Sequence, residues 1–476
     1  MMKALLERLA YRAQHVPDQL AVQDATRALS YQLLWQQVQR QAAWLGAQLE
    51  QEGSARPVAL LADNNIDWLV ADLACLLAEV PCVPVPGFFT DAQRQHLLQD
   101  SGCVALWQPD QPAEPWLWLD LAPVTLPPGC CKVTYTSGST GEPKGVCLAA
   151  TSLMHTVVAL AERLAGQGVQ AHLCTMPLAV LLENLAGVYL PLWLGTPITL
   201  LPLATLGLAN LQRPQPQQFL ATLAASAADS VILLPATLGW LLSGIETGLL
   251  PADRWQWLAV GGGKTSRQLL QQAEALGLPV YEGYGLSEMG SVVALNGPGQ
   301  TRLGSVGRPL GHIEVRLADD GEVLVRGNRM LGYLGGDIAD TADWLATGDL
   351  GSLDADGFLH IHGRKKATIV TGLGRNVHPE WVEAELLAVP GVLQAFVYGD
   401  EEQGIRALLF APALQGDDAL AEVMAQGNRH LPGYAQLQSV HFIDTPFSQQ
   451  QGELTSNGRL RRHIIMRQRL PQQETV

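Results

Sequence analysis

Lysine is what this chain has least of among its charged residues. Of 30 basic residues in 476, six are lysine: Lys3, Lys132, Lys144, Lys264, Lys365 and Lys366. Charge of any kind is sparse, at 16% against 47% hydrophobic, which excludes a disordered chain, since disorder needs the reverse balance. The formal net charge of −15 excludes a general attraction for nucleic acid or anionic lipid. Cysteine is scarce as well. The seven lie between Cys75 and Cys174, are odd in number and lack a CxxC spacing. They read as reduced thiols of a cytoplasmic protein, not as a disulfide frame or a zinc site.

A continuous apolar run is also missing. Asn184 to Gln212 carries no charge and is long enough to span a bilayer, but Pro191, Pro197 and Pro202 break it, with Gly187, Gly195 and Gly207 between them. It reads as buried core, so no integral membrane association is expected. In the first residues Lys3, Glu7, Arg8 and Arg12 interrupt the apolar positions, so no signal peptide is expected.

What is present is a long alternation of short apolar runs with helical patterns. Val58 to Ala62 precedes a helical pattern over Asp67–Ala78, and Val83 to Val85 precedes one over Asp91–Gln99. Further runs lie at Leu173–Met176, Pro197–Leu201, Val231–Leu234, Trp257–Val260 and Pro279–Val280. Such alternation predicts parallel sheets covered by helices. After about residue 300 the texture changes. Glu314–Leu317 and Glu322–Arg326 alternate apolar with polar around Asp319-Asp320-Gly321, which predicts a hairpin, and Asp354 to Gly357 predicts another turn. The last block, from about residue 366, mixes a helix over Pro379–Leu387 with strand-like segments at Phe396–Tyr398 and Val440–Ile443.

The chemistry concentrates in Tyr135-Thr-Ser-Gly-Ser-Thr-Gly-Glu-Pro-Lys-Gly145. Gly138 and Gly141 allow backbone geometries in which amides face an anion. Thr136, Ser137, Ser139 and Thr140 add hydroxyls, and Lys144 adds charge, a set suited to a triphosphate. It is not the GxxxxGK[ST] loop, because the lysine follows Glu142-Pro143 and precedes Gly145.

With this string the chain resembles the adenylate-forming, AMP-binding enzymes, a superfamily that includes acyl-CoA synthetases, peptide-synthetase adenylation domains and beetle luciferases. The resemblance continues in order along nearly the whole chain. Gly261, Gly262, Gly263 and Lys264 resemble the family's loop beside adenine. Glu282-Gly283-Tyr284-Gly285-Leu-Ser-Glu288 resembles its YGxTE motif. The resemblance implies that Tyr284 stacks on adenine and that Glu288, with Thr140, holds Mg²⁺. Thr347-Gly348-Asp349 resembles the segment whose aspartate binds the ribose hydroxyls. Gly363-Arg364-Lys365-Lys366 resembles the next one, with Arg364 on the ribose or phosphate side and Lys366 at a hinge between two domains. The implied fold is α/β: an N-terminal domain, residues 1–365, of two α/β subdomains plus a β-rich one, and a small mobile α+β C-terminal lid, residues 366–476. The implied reaction takes ATP, Mg²⁺ and a carboxylic acid to an acyl-adenylate, then passes the acyl group to CoA or to the phosphopantetheine thiol of an acyl carrier protein.

One position departs from the family. Its final segment resembles NGKxxR, whose lysine contacts the acyl carboxylate and α-phosphate, and here Arg459 stands at the lysine's place. No lysine follows Lys366, so Arg459 fills the role or the role is vacant. Arginine keeps the charge but differs in bulk and hydrogen-bonding geometry. Two alternatives therefore stay open: an acyl-AMP ligase loading a carrier protein, and a non-catalytic acyl- or nucleotide-binding relative. A plain nucleotide hydrolase lacks a water-activating base.

For the acid, Met176 to Asn184 resembles the PLAHxxER segment of long-chain acyl-CoA synthetases, with Val180 for the histidine and Asn184 for the arginine. Before Glu183 the stretch is apolar, with no partner for a substrate amine, so an uncharged aliphatic or aromatic acid is expected, lined by Val180 and Glu183.

Overall fold

The computed structural model describes residues 2–51, 56–109, 115–137, 143–210, 214–336, 339, 343–372, 375–414, 416–455 and 458–470. Two large sheets organise the chain up to about residue 310. The first has seven strands, in the order Gly332–Tyr333, Pro143–Ala149, Cys130–Ser137, Cys82–Pro84, Val58–Leu60, Ala105–Trp107 and Trp116–Trp118. The second has nine, and its centre is the parallel set Val280–Tyr284, Trp257–Val260, Ser230–Leu233, His172–Cys174 and Ile198–Leu200. These strands are short and buried on both faces, which is why the sequence reads them as apolar runs and not as alternation. Helix starts follow local chemistry. Asn65 accepts from the Trp68 amide to open Ile66–Leu77, while Thr90 and Gln93 form a reciprocal cap on Asp91–Ser101.

The β-rich part is an antiparallel sheet of Ile313–Leu317, Glu322–Gly327, Leu345–Leu353 and Leu359–Arg364. Its first hairpin turns where the aspartates and glycine predict, with Gly321 at φ +83°. The C-terminal part carries its own core around Gln394–Asp400, Gly404–Phe410 and Leu437–Phe442, covered by the helices Pro379–Leu387 and Asp417–Asn428. The fold is α/β, as the sequence implies. The uncharged stretch folds into core, with the turns Glu183–Tyr189 and Leu190–Leu194 and the strand Ile198–Leu200, and no described helix is long and apolar enough to cross a membrane. All seven cysteines are free thiols.

One polar cluster joins the two large sheets. The Lys132 ammonium, 1% exposed, donates to Asp72 at 2.7 Å, Asn184 at 2.5 Å and the Tyr189 hydroxyl at 3.0 Å. The Asn184 amide and the Tyr189 hydroxyl donate in turn to the other Asp72 oxygen, at 3.0 and 2.6 Å. Burial opposes a charge at Lys132, but the facing Asp72 carboxylate outweighs it and holds the ammonium above its ordinary range. Asn184 therefore has a role as a neutral bridge. An arginine there would set a second cation against Lys132.

Removing one partner of a buried pair leaves an uncompensated charge and costs about 3–5 kcal/mol. Lys132→Met should therefore lower the urea midpoint of unfolding followed by tryptophan fluorescence, whereas Cys130→Ser, two residues away, should leave it nearly unchanged.

Candidate active site

The sheets and the C-terminal part meet around one cleft of about 3670 Å³. A single small-molecule site occupies roughly 300–1000 Å³, so this space can take several ligand groups at once. Thr136 and Lys144 face each other across the hairpin of Cys130–Ser137 and Pro143–Ala149, and both line the cleft. Gly138, Ser139, Thr140 and Gly141 lie outside the described residues, as does the Ser137 side chain. The Lys144 ammonium lies 5.7 Å from the centre of the Tyr333 ring. The Tyr333 hydroxyl donates to Glu288 at 2.9 Å, so a second oxygen of that carboxylate is left for a cation.

The next group sits on the strand Val280–Tyr284 and the loop after it. Gly262, at φ +79°, and Gly263 border the cleft beside the buried Glu282. Burial raises the Glu282 carboxyl, against the pull of Lys264 and of hydrogen bonds from Thr265. A methyl on Gly283 would meet the Leu295 side chain at 2.9 Å, and one on Gly285 would fall 1.6 Å from the Ser291 carbonyl oxygen. Close approach therefore requires glycine at both positions. The Tyr284 hydroxyl donates to Asp349 at 2.6 Å, and the Arg364 guanidinium reaches the other Asp349 oxygen at 3.1 Å. Burial raises the Asp349 carboxyl, opposed by Arg364, Tyr284 and Arg459.

The C-terminal part reaches the same place. Arg459 lines the cleft on a turn closed by Thr455, whose hydroxyl accepts from the Arg459 amide at 2.9 Å and whose own amide donates to the Arg459 carbonyl at 2.8 Å. Its guanidinium is open to the cleft yet crowded by protein. The crowding and the nearby Arg364 lower its pKa, while Asp349 and Glu288 oppose the drop. The sequence-selected Glu288, Asp349, Arg364 and Arg459 thus form one electrostatic cluster.

Besides Lys144, four lysines divide by role. Lys132 is core, Lys264 donates to the Ile361 carbonyl at 2.9 Å, and Lys365 is clamped to Asp320 at 2.5 Å and Glu322 at 2.8 Å. Lys366, next to that clamp in the turn Lys365–Ala367, lines the cleft and makes no hydrogen bond or ion pair among the described residues.

One sequence expectation is corrected. Val180 lines the cleft, but Glu183 does not; it is fully buried, with one carboxylate oxygen accepting from the Thr175 amide at 2.9 Å. It begins a π-helical turn, Glu183–Tyr189, that rotates it behind the wall while Leu182 and Ala186 face the cleft. The cleft-lining residues of the segment 175–186 are apolar apart from Thr175, and Leu160, Ile232, Trp257 and Leu295 line the same cleft. The lysines and arginines that line the cleft come from other elements: the helix Asp91–Ser101, the hairpin, Lys264, and the segments 364–366 and 459–462. Residues the sequence did not single out are Tyr333, which follows a bare glycine, and the pair His362 and His378. Their rings stack at 6.2 Å between the strand Leu359–Arg364 and the start of the helix Pro379–Leu387, where nothing in the spacing brings them together.

Residues 9–117 and 110–334 match the family described as AMP-binding enzyme. Long-chain-fatty-acid–CoA ligase FadD15 of Mycobacterium tuberculosis is 36% identical over 234 residues, 43% of this chain and 39% of that protein, so the match spans well under half of the relative. 2-Succinylbenzoate–CoA ligase of Bacillus licheniformis is 26% identical over 479 residues, covering 92% and 95% of the two chains. Among solved structures, the anthranilate CoA ligase AuaEII in complex with anthranoyl-AMP is similar with a TM-score of 0.77 at 19% identity, covering 97% and 96%. The o-succinylbenzoate CoA synthetase MenE from Bacillus subtilis with its acyl-adenylate gives 0.74 at 24%, covering 96% and 97%. At these identities the likeness is one of fold.

The histidine contact sets a pH expectation. Crowding lowers His362 first, followed by the charge of His378, and burial lowers His378 against Glu380. A base lowered in the folded state binds fewer protons than in the unfolded one, so stability is lost as pH falls through the ordinary imidazole range. Hydrogen-exchange protection over residues 360–380, corrected for the intrinsic pH dependence of exchange, should fall on acidification, and His378→Asn should flatten that fall. A methyl at Gly363 would sit 2.6 Å from the His378 side chain, so Gly363→Ala should raise the exchange at neutral pH.

Proposed function

This chain belongs to the AMP-binding enzyme family, and on that premise we propose that it is an ATP-dependent acid–thiol ligase acting on an uncharged apolar acid. The observation that carries the acid class is the wall around Val180, apolar and supplied with no lysine or arginine from its own elements. An aliphatic or aromatic tail gains from burial there, while a second carboxylate would be buried without a partner. That distinguishes it from an acid such as 2-succinylbenzoate, which carries two carboxylates.

Each polar group then has a task. Asp349, between Tyr284 and Arg364, is placed to accept the ribose hydroxyls, with the Tyr284 ring against adenine and Gly262, Gly263 and Gly285 leaving room for the base. Thr136 and Lys144 continue the hairpin's loop toward phosphates. Glu288, an oxygen donor with one oxygen already oriented by Tyr333, fits Mg²⁺, which prefers such ligands. When bound, the ion supplies charge neutralisation on phosphate oxygens. A carboxylate oxygen of the acid attacks the α-phosphorus, the bond to the β-phosphate oxygen breaks, and pyrophosphate leaves. Arg459 holds positive charge beside that reaction, the largest contribution a preorganised site can make. Afterwards a thiol attacks the acyl carbonyl, loses its proton, and expels AMP. We place the domain boundary at residues 365 and 366. Lys365 anchors the N-terminal side to Asp320 and Glu322, so unclamped Lys366 is where rotation can begin.

Pyrophosphate release assayed over a panel of acids with CoA should be fastest for monocarboxylic fatty or aromatic acids. Faster release with 2-succinylbenzoate would overturn the acid class, and nucleotide binding with no acid-dependent release would favour a non-catalytic relative. Release that requires a loaded carrier protein instead of CoA would identify the other acceptor. Arg459→Ala should slow adenylate formation by about 100-fold or more, in line with loss of one transition-state donor. Arg459→Lys should retain part of the rate. Asp349→Ala should weaken ATP binding about tenfold or more, the scale of a hydrogen bond to a charged group, whereas Tyr284→Phe should change it little in calorimetric titration.

A further inference from the structure

Behind the acyl wall lies a group of side chains that the ligase reading does not use. His172 and Cys174 project from one face of the strand His172–Cys174, and Glu183 comes from the π-helical turn. All three are essentially unexposed, at 1%, 0% and 0%, and their ligand atoms lie within 4.8 Å of one another. His172 Nε2 and one Glu183 oxygen have no hydrogen-bond partner among the described residues. His172 Nδ1 pairs with the Ser230 hydroxyl at 2.9 Å, which fixes the ring with its other nitrogen aimed inward. A buried polar atom without a partner is costly, and here two occur in one cluster.

The backbone keeps that space open. A methyl on Gly187 would lie 2.9 Å from a Glu183 oxygen and 3.2 Å from His172 Nε2, so only glycine leaves room between them. The Gly187 carbonyl, 3.3 Å from the Cys174 sulfur, offers a further oxygen. π-Helical turns are rare and recur at functional positions.

We propose that His172, Cys174 and Glu183 bind a divalent cation of the zinc type, which fastens the strand of the second sheet to the turn that forms the acyl wall. The donor set is one imidazole nitrogen, one sulfur and one carboxylate oxygen, each an established ligand of Zn²⁺. At metal–ligand distances of about 2.0–2.3 Å the donor atoms of a tetrahedral site stand roughly 3.3–3.8 Å apart, so a contraction of about an ångström completes it. The charges also close. A thiolate and a carboxylate neutralise the ion, and the imidazole stays neutral, so a dry interior holds no net charge. Metal binding displaces the thiol proton, because the ligand form of cysteine is the thiolate. The absence of a CxxC pair hides this site from sequence, because its ligands sit at His172, Cys174 and Glu183 on two different elements. The proposal stands independently of the ligase reading.

The test is metal content of the full chain expressed in zinc-supplemented medium, with a parallel preparation in cobalt. About one equivalent of metal per chain, with a thiolate-to-cobalt charge-transfer band that disappears in Cys174→Ser and persists in Cys147→Ser, is the expected result. Glu183→Gln, which keeps size and shape, should lower the metal content even if Cys174→Ser fails to fold. Less than about a tenth of an equivalent with no charge-transfer band would overturn the site. Metal content unchanged in both Cys174→Ser and Glu183→Gln would do the same.

Discussion

The two large sheets are held in one geometry by a single buried charge. Lys132 lies on the strand that runs into the phosphate-directed loop, Asp72 on a helix covering the same sheet, and Asn184 and Tyr189 on the turn that walls the acyl pocket. Because each donor and acceptor is matched, moving any one element strands a charge or a polar atom in the core. The strand Cys130–Ser137 and the turn Glu183–Tyr189 are therefore coupled. That is the arrangement needed when a carboxylate from one pocket must meet a phosphate held by the other.

Much of this was legible before any coordinates. The parallel strands appear as apolar runs because both their faces are covered, and the hairpin at Asp319–Gly321 follows from turn chemistry alone. Tyr284, Asp349, Arg364 and Arg459 converge although they are spread over more than 170 residues, and order along the chain marked all of them. What escaped depends on long-range placement. The strands Leu20–Gln23 and Ala28–Ser30 sit beside Ile198–Leu200 at the edge of the second sheet, a place set by tertiary packing. Glu183 was misplaced for a sharper reason. It was chosen from the resemblance of Met176–Asn184 to a family segment, and the π-helical turn it begins buries it instead, where its carboxylate accepts from the Thr175 amide. Asn184 was read only as a weakened family match, because its partner Lys132 is 52 residues away in sequence.

The C-terminal part is tied to the rest by contacts of different strength. The Glu385 carboxylate accepts from the Arg267 amide at 3.0 Å, and His378 presses on Gly363. Within its own fold Arg462 pairs with Glu383 at 2.6 Å, and Arg469 with Glu453 at 2.5 Å. Charges that build the C-terminal part, such as Glu383 and Glu453, are thus paired within it among the described residues. Such a part can turn as a unit without losing its own structure.

Arginine at position 459 has a consequence for the protein's own survival. A mixed anhydride of an acid and AMP acylates amines, and a guanidinium is a far weaker nucleophile than an amine. It also starts at so high a pKa that it stays protonated. With Lys132 and Lys264 already engaged and Lys365 clamped, Lys144 and Lys366 are the other lysines that line the cleft among the described residues. Scarcity of lysine then becomes chemical self-protection.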